Sequence, residues 1–109
     1  MNVRLYLLQR ATAALMLPLV IGHLLLIFYA TRNGLTAAEI LGRTRGSVGW
    51  GLYYGLFVLA ASVHAAIGVR SVVIEWGGLK RQPANIVMLS FGALLLLLGL
   101  RAVFAVVLP

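Results

Sequence analysis

The charged residues of this 109-residue chain are spaced so that three long runs contain none: between Arg10 and Arg32, between Arg45 and Arg70, and between Arg81 and Arg101. Each run is about 20 residues or more, and at about 1.5 Å per residue a helix of that length crosses the roughly 30 Å of hydrocarbon in a bilayer. The pattern predicts three transmembrane helices, over about residues 11–29, 51–74 and 86–107. The connections differ in kind. Residues 31–50 carry Leu35, Ala38, Ile40 and Leu41 among Glu39, Arg43 and Arg45, the makings of a short interfacial helix that the glycines at 46–51 then break. Residues 75–85, with Gly77, Gly78 and Pro83, read as a tight polar turn.

Composition agrees with an all-α membrane protein. Hydrophobic residues make up 62% of the chain and charged residues 10%, and the mean hydropathy of +1.04 is not that of a soluble domain. Spans and short loops use nearly all the residues, with no internal repeat and no low-complexity linker, so residues 1–109 form one membrane domain. Chemistry on a water-soluble substrate must then come from partner chains.

The net charge of +7 changes the picture little, because the basic residues flank apolar runs, where they act as topology signals and lipid contacts. Nucleic acid is excluded as a partner on that ground. Arg4, Arg10, Lys80 and Arg81 lie on the N-terminal side, with Arg70 near its edge. Arg32, Arg43 and Arg45 lie on the other, with Arg101 near the end of the third span. The margin puts the N-terminus in the cytoplasm, or in the matrix of a mitochondrion, with the first span as an uncleaved signal-anchor. The absence of cysteine excludes disulfides, thiolate-ligated iron–sulfur clusters and thiolate zinc sites from the chain.

The two histidines, His23 and His64, carry the candidate chemistry, since each sits near the middle of a span. An ionisable group at mid-depth needs a partner or a task, and a neutral imidazole is a common ligand for metals and haem iron. Pro18 precedes His23 by five residues and cannot donate to the carbonyl of Ala14. It either kinks the helix and aims His23, or is tolerated because neighbours satisfy that carbonyl. Around His64 the helical neighbours Ala60, Ala61, Ala65 and Gly68 form a shallow groove that suits either a flat macrocycle or close helix approach, as Gly51 and Gly55 also do. A pair of bis-histidine haems needs more imidazoles than this chain has, so two haems require partner histidines. Alternatively, both histidines clamp one haem. Measured from the N-terminal side, His23 lies about 20 Å beyond Arg10 and His64 about 9 Å before Arg70, which leans toward two depths.

These residues resemble the cytochrome b membrane anchors of succinate:quinone oxidoreductases, which include succinate dehydrogenase and fumarate reductase. The resemblance covers nearly the whole chain. Leu8-Gln9-Arg10-Ala11-Thr12 is similar to the arginine-containing start of the first anchor helix. His64-Ala65-Ala66-Ile67-Gly68-Val69-Arg70, continuing to Glu75-Trp76-Gly77, resembles the H-x-x-x-G-x-R motif with an acidic residue shortly after. His23, 13 residues past Arg10, is similar to the first-helix ligand of the dihaem anchors, and Gly99-Leu100-Arg101-Ala102-Val103-Phe104 resembles the end of their single-chain form. Tyr6 stands where single-haem anchors carry a serine, and Gln9 where a histidine often precedes the arginine.

The resemblance implies a three-helix half-bundle completed by a second, homologous anchor subunit, in a complex with an iron–sulfur subunit and an FAD flavoprotein in a bacterial inner membrane. It further implies haem b, one or two shared with the partner anchor, with His64 ligating the haem nearer the cytoplasm and His23 the outer one. Quinone is the substrate at the membrane. Arg10 becomes a candidate for a haem propionate or quinone oxygen, because a guanidinium forks two hydrogen bonds to a carboxylate while reaching water; its plain alternative is a topology anchor. Arg70, Glu75, Trp76 and Tyr6 are candidates for the lining of a headgroup pocket or, again, for interface anchors. The competing expectation is a small transporter or haem-free accessory subunit, in which His23 and His64 form a polar relay or helix–helix hydrogen bonds.

Overall fold

The computed structural model describes residues 2–109. Within hydrocarbon every backbone polar group must be satisfied inside the chain, and helices do this segment by segment. Four form: α1 (Val3–Asn33), α2 (Ala37–Thr44), α3 (Val48–Glu75) and α4 (Arg81–Val107), of which α1, α3 and α4 are long and apolar enough to cross a membrane. The molecule is 48 Å long, more than the roughly 30 Å of hydrocarbon. The helices outrun the charge-free segments because arginine stems extend to water from within a helix, as at Arg4, Arg10 and Arg32 of α1.

Local signals set the ends. Asn2 Oδ1 accepts from Leu5 N at 2.8 Å to start α1. Thr36 and Glu39 form a reciprocal capping box that starts α2, the expected interfacial helix. Ser47 Oγ accepts from Trp50 N at 3.2 Å to start α3. The polar turn is shorter than expected. It ends at Lys80, because Pro83 sits in the first turn of α4, where a missing N–H costs nothing. α1 runs unbroken through Pro18.

α3 is the central helix. Its Tyr53, Phe57, His64 and Gly68 meet α1, while Val58, Ala66 and Arg70 meet α4. At 3.6 residues per turn the two sets are about half a turn apart, so α1 and α4 flank α3 and leave a groove on each side. Close approach to α4 depends on glycines of α4 itself. A Cβ at Gly92 would lie 3.1 Å from Ala66 Cβ, and one at Gly99 would run into the Val58 methyls. Of the expected pair, Gly51 abuts Val107 and Gly55 faces open space. At the end of the bundle opposite the N-terminus Thr44 Oγ1 donates to Val106 O and Gly46 N to Val107 O, both at 2.6 Å, satisfying the last carbonyls of α4. The apolar core is slight, namely Leu19, Ala60, Ala66, Ile67, Ala84 and Val103, and most of the large apolar side chains face outward to lipid or to other chains.

Two imidazoles on one helix seam

His64 meets a buried hydroxyl. Thr12 Oγ1 lies 2.9 Å from Leu8 O, 3.0 Å from Gln9 O and 3.1 Å from His64 Nδ1, and Thr12 is 8% exposed. A hydroxyl has one proton, and the carbonyls can only accept it. Either the hydroxyl donates to an α1 carbonyl and accepts from an Nδ1–H of His64, or it donates to an unprotonated Nδ1; a His64 ligating through Nε2 takes the first arrangement. Gln9 fills part of the expected groove: a Cβ on Gly68 would lie 3.6 Å from Gln9 Nε2. Ala60 is buried at 3%. Ala61 and Ala65, half-buried, keep the adjoining face shallow.

His23 is held by rings instead. Tyr54 and Phe57 of α3 stand edge-on to it at 6.0 and 5.7 Å, with interplanar angles of 89° and 87°. Its Nδ1 is buried and has no hydrogen-bond partner among the described residues. A recess of about 250 Å³ adjoins it, lined also by Arg43, Thr44 and Trp50. Tyr53 Oη donates to Leu19 O and ties α1 to α3 one turn before His23. Gly22 makes room for this tie, since a Cβ there would lie 2.8 Å from Tyr53 Oη.

The hydrogen bond to Thr12 fixes the level of His64. His23 lies 11 residues further along α1, a rise of about 16 Å. Tyr54 and Phe57, its neighbours on α3, are displaced from His64 in the same direction. Two ligands of one iron must meet within a few ångström, so the seam does not let both histidines clamp a single haem. Each offers one imidazole at its own depth, which fits a haem whose second axial ligand comes from another chain. The described residues contain no cluster of three His, Cys, Asp or Glu able to hold a bare metal ion, whereas a haem brings its own four nitrogens.

The remaining candidates fall into separate places. Arg10 lies over the Tyr6 ring at 5.5 Å, and both are exposed at the N-terminal end of α1. Arg70 is 6% exposed, and its Nε donates to Asn85 Oδ1 at 2.7 Å. Six residues at 3.6 per turn put it about 120° round α3 from His64. Glu75 is exposed and Trp76 is 85% exposed. Sequence reasoning missed Thr12, Phe57, Tyr54 and Asn85, and also Arg43, which lies over the Tyr29 ring at 5.6 Å beside the His23 recess. Thr12 and Asn85 carried a signal, as polar side chains near the ends of spans, but not the identity of partners 52 and 15 residues away.

A three-span helical module with imidazoles at two depths, and with little core of its own, is a membrane subunit built to work against other chains. The family model described as succinate dehydrogenase/fumarate reductase transmembrane subunit matches residues 1–108, and the chain belongs to that family. Searches of curated proteins and of solved structures gave no match. The chain is thus a multi-pass membrane protein of a family whose members are subunits of an enzyme complex.

Proposed function

We propose that this chain binds haem b and passes electrons between the iron–sulfur subunit of its complex and quinone. The observation that carries this is the seam itself, with two mid-membrane imidazoles about 16 Å apart in depth, one of them hydrogen-bonded through Nδ1 to a buried hydroxyl. A b-type haem, when bound, supplies a one-electron carrier. His64 serves the site nearer the cytoplasm and His23 the outer one, each with a second imidazole from a homologous anchor subunit.

Thr12 orients the His64 ring through its hydrogen bond to Nδ1. Tyr54 and Phe57 restrict the His23 ring and keep water from it. Ala61 and Ala65 give a flat macrocycle room beside His64, on the face that the partner anchor covers. Arg10, steadied on Tyr6, meets a propionate or a quinone oxygen at the membrane edge. Glu75 and Trp76, exposed at the same end, face the iron–sulfur subunit and quinone. Dicarboxylate chemistry and its FAD belong to the other subunits. The complex lies in a bacterial inner membrane with this chain's N-terminus in the cytoplasm, where the basic residues of that end favour it.

The deciding experiment is a reduced-minus-oxidised spectrum of the purified complex, with haem quantified per flavin. A sharp low-spin b-type signal is expected. A fully assembled complex without haem would return the chain to the role of a structural accessory.

A further inference from the structure

The groove on the other side of α3 is amphipathic. Its outer part is an apolar trough of about 360 Å³ between Leu5 and Leu8 of α1, Leu59 and Val63 of α3, and Leu89 and Ala93 of α4. Toward the N-terminal end it runs into a polar chamber of about 520 Å³ lined by Asn2, Arg70, Arg81 and Asn85, with Leu5, Met88 and Leu89 lining both. No carboxylate lines either part.

Arg70 is the reason to expect a ligand there. It is more than nine-tenths buried, and its one hydrogen bond among the described residues goes to a neutral amide. A buried charge without a counter-charge is strongly unfavourable. The chain's two acids do not supply one. Glu39 is committed to the α2 capping box, and Glu75 is exposed about 140° round α3 from Arg70. Arg81 adds a second positive charge at the mouth.

We propose that this groove binds an anionic phospholipid, with its phosphate on Arg70 and Arg81 and an acyl chain along Leu5, Leu89 and Ala93. The first residues of α1 and α4 bring the chamber to headgroup level, and the trough leads from it into the hydrocarbon zone, so charge and apolar surface occur in the order a lipid presents them. A quinone ring is neutral and leaves Arg70 uncompensated. The His64 seam lies about 120° away round α3, so the site stands apart from the proposed haem sites.

The test uses the intact complex in mild detergent, stripped of lipid and offered vesicles of mixed phosphatidylglycerol and phosphatidylcholine, with retained lipid read by native mass spectrometry. Wild type retains phosphatidylglycerol in preference to phosphatidylcholine. Arg81→Gln lowers that retention about fivefold, in line with the contribution of one basic residue near anionic lipid. Ala93→Phe fills the trough and abolishes retention, and both variants keep full haem content. They carry the test even where Arg70→Gln fails to assemble. Equal retention of the two lipids, retention unaltered in both variants, displacement by inorganic phosphate alone, recovery of quinone from the groove, or cross-linking of the chamber to a carboxylate of another subunit would each overturn the proposal.

Discussion

At the end of the α1–α3 seam nearer the N-terminus a hydroxyl grips an imidazole, and toward the other end aromatic rings do. The Thr12 bond at 3.1 Å holds the orientation of the His64 ring through Nδ1. The edge-on rings of Tyr54 and Phe57 restrict the plane of His23 but offer no donor or acceptor to its buried Nδ1. A buried polar atom left unpaired costs about 1–3 kcal/mol. The His64 ring is therefore held by a polar contact within this chain, while the His23 ring keeps a polar atom that no described residue satisfies.

The largest effects come from removing the imidazoles. His64→Ala eliminates one low-spin haem and His23→Ala a different one, because each takes away an axial ligand. The visible spectra of the two variants decide this, and loss of the same signal in both would collapse the comparison into one shared site. Which end is inner is tested by an all-or-none measurement. In intact cells a membrane-impermeant thiol reagent labels Asn33→Cys and not Gln82→Cys, and the reverse pattern inverts the assignment of the two ends.

A graded difference follows from how the rings are held. Thr12→Val keeps the shape but leaves Nδ1 of His64 without its hydrogen-bond partner. Haem retention at the His64 site falls about 10–100-fold, the usual cost of losing such an outer partner, with a shifted potential at that site alone. Thr12→Ser restores both, and redox titration of the complex reads the result. A change in the outer haem instead would break the division between the two ends. The smallest effect is that of Tyr53→Phe, which loses a hydrogen bond to Leu19 O contributing about 0.5–1.5 kcal/mol. It slightly lowers thermal stability and broadens the outer haem signal while leaving the inner one sharp.

Much of the fold was legible because membrane spans are announced by what they exclude. Charge-free runs marked α1, α3 and α4, and the apolar Leu35, Ala38, Ile40 and Leu41 among Glu39, Arg43 and Arg45 marked α2. Boundaries were less legible, since arginines extend from within helices to reach water and Pro83 starts α4 instead of breaking it. His23 and His64 stood out as mid-span imidazoles. Their companions did not, because Thr12, Tyr54 and Phe57 resemble ordinary span residues until two helices are set side by side. Arg70, Glu75 and Trp76 follow Arg10 in the family motifs, but the motif's order along the chain says little about angle. Arg70 turns to Asn85 while Arg10 lies over Tyr6.

Charge spacing and composition alone determined that this is a three-span membrane protein, and the two histidines alone pointed to its chemistry, because burying a charge or an unpaired imidazole in hydrocarbon is costly wherever the helices lie. Only the tertiary structure decided that Thr12 is level with His64, that His23 lies about 16 Å deeper along the seam, and that Arg70 opens onto the opposite groove. Depth and facing depend on how one helix slides and turns against another. That register is set by contacts between residues far apart in the chain, such as Gly99 against Val58 and Tyr53 against Leu19, which no periodicity within a single helix encodes.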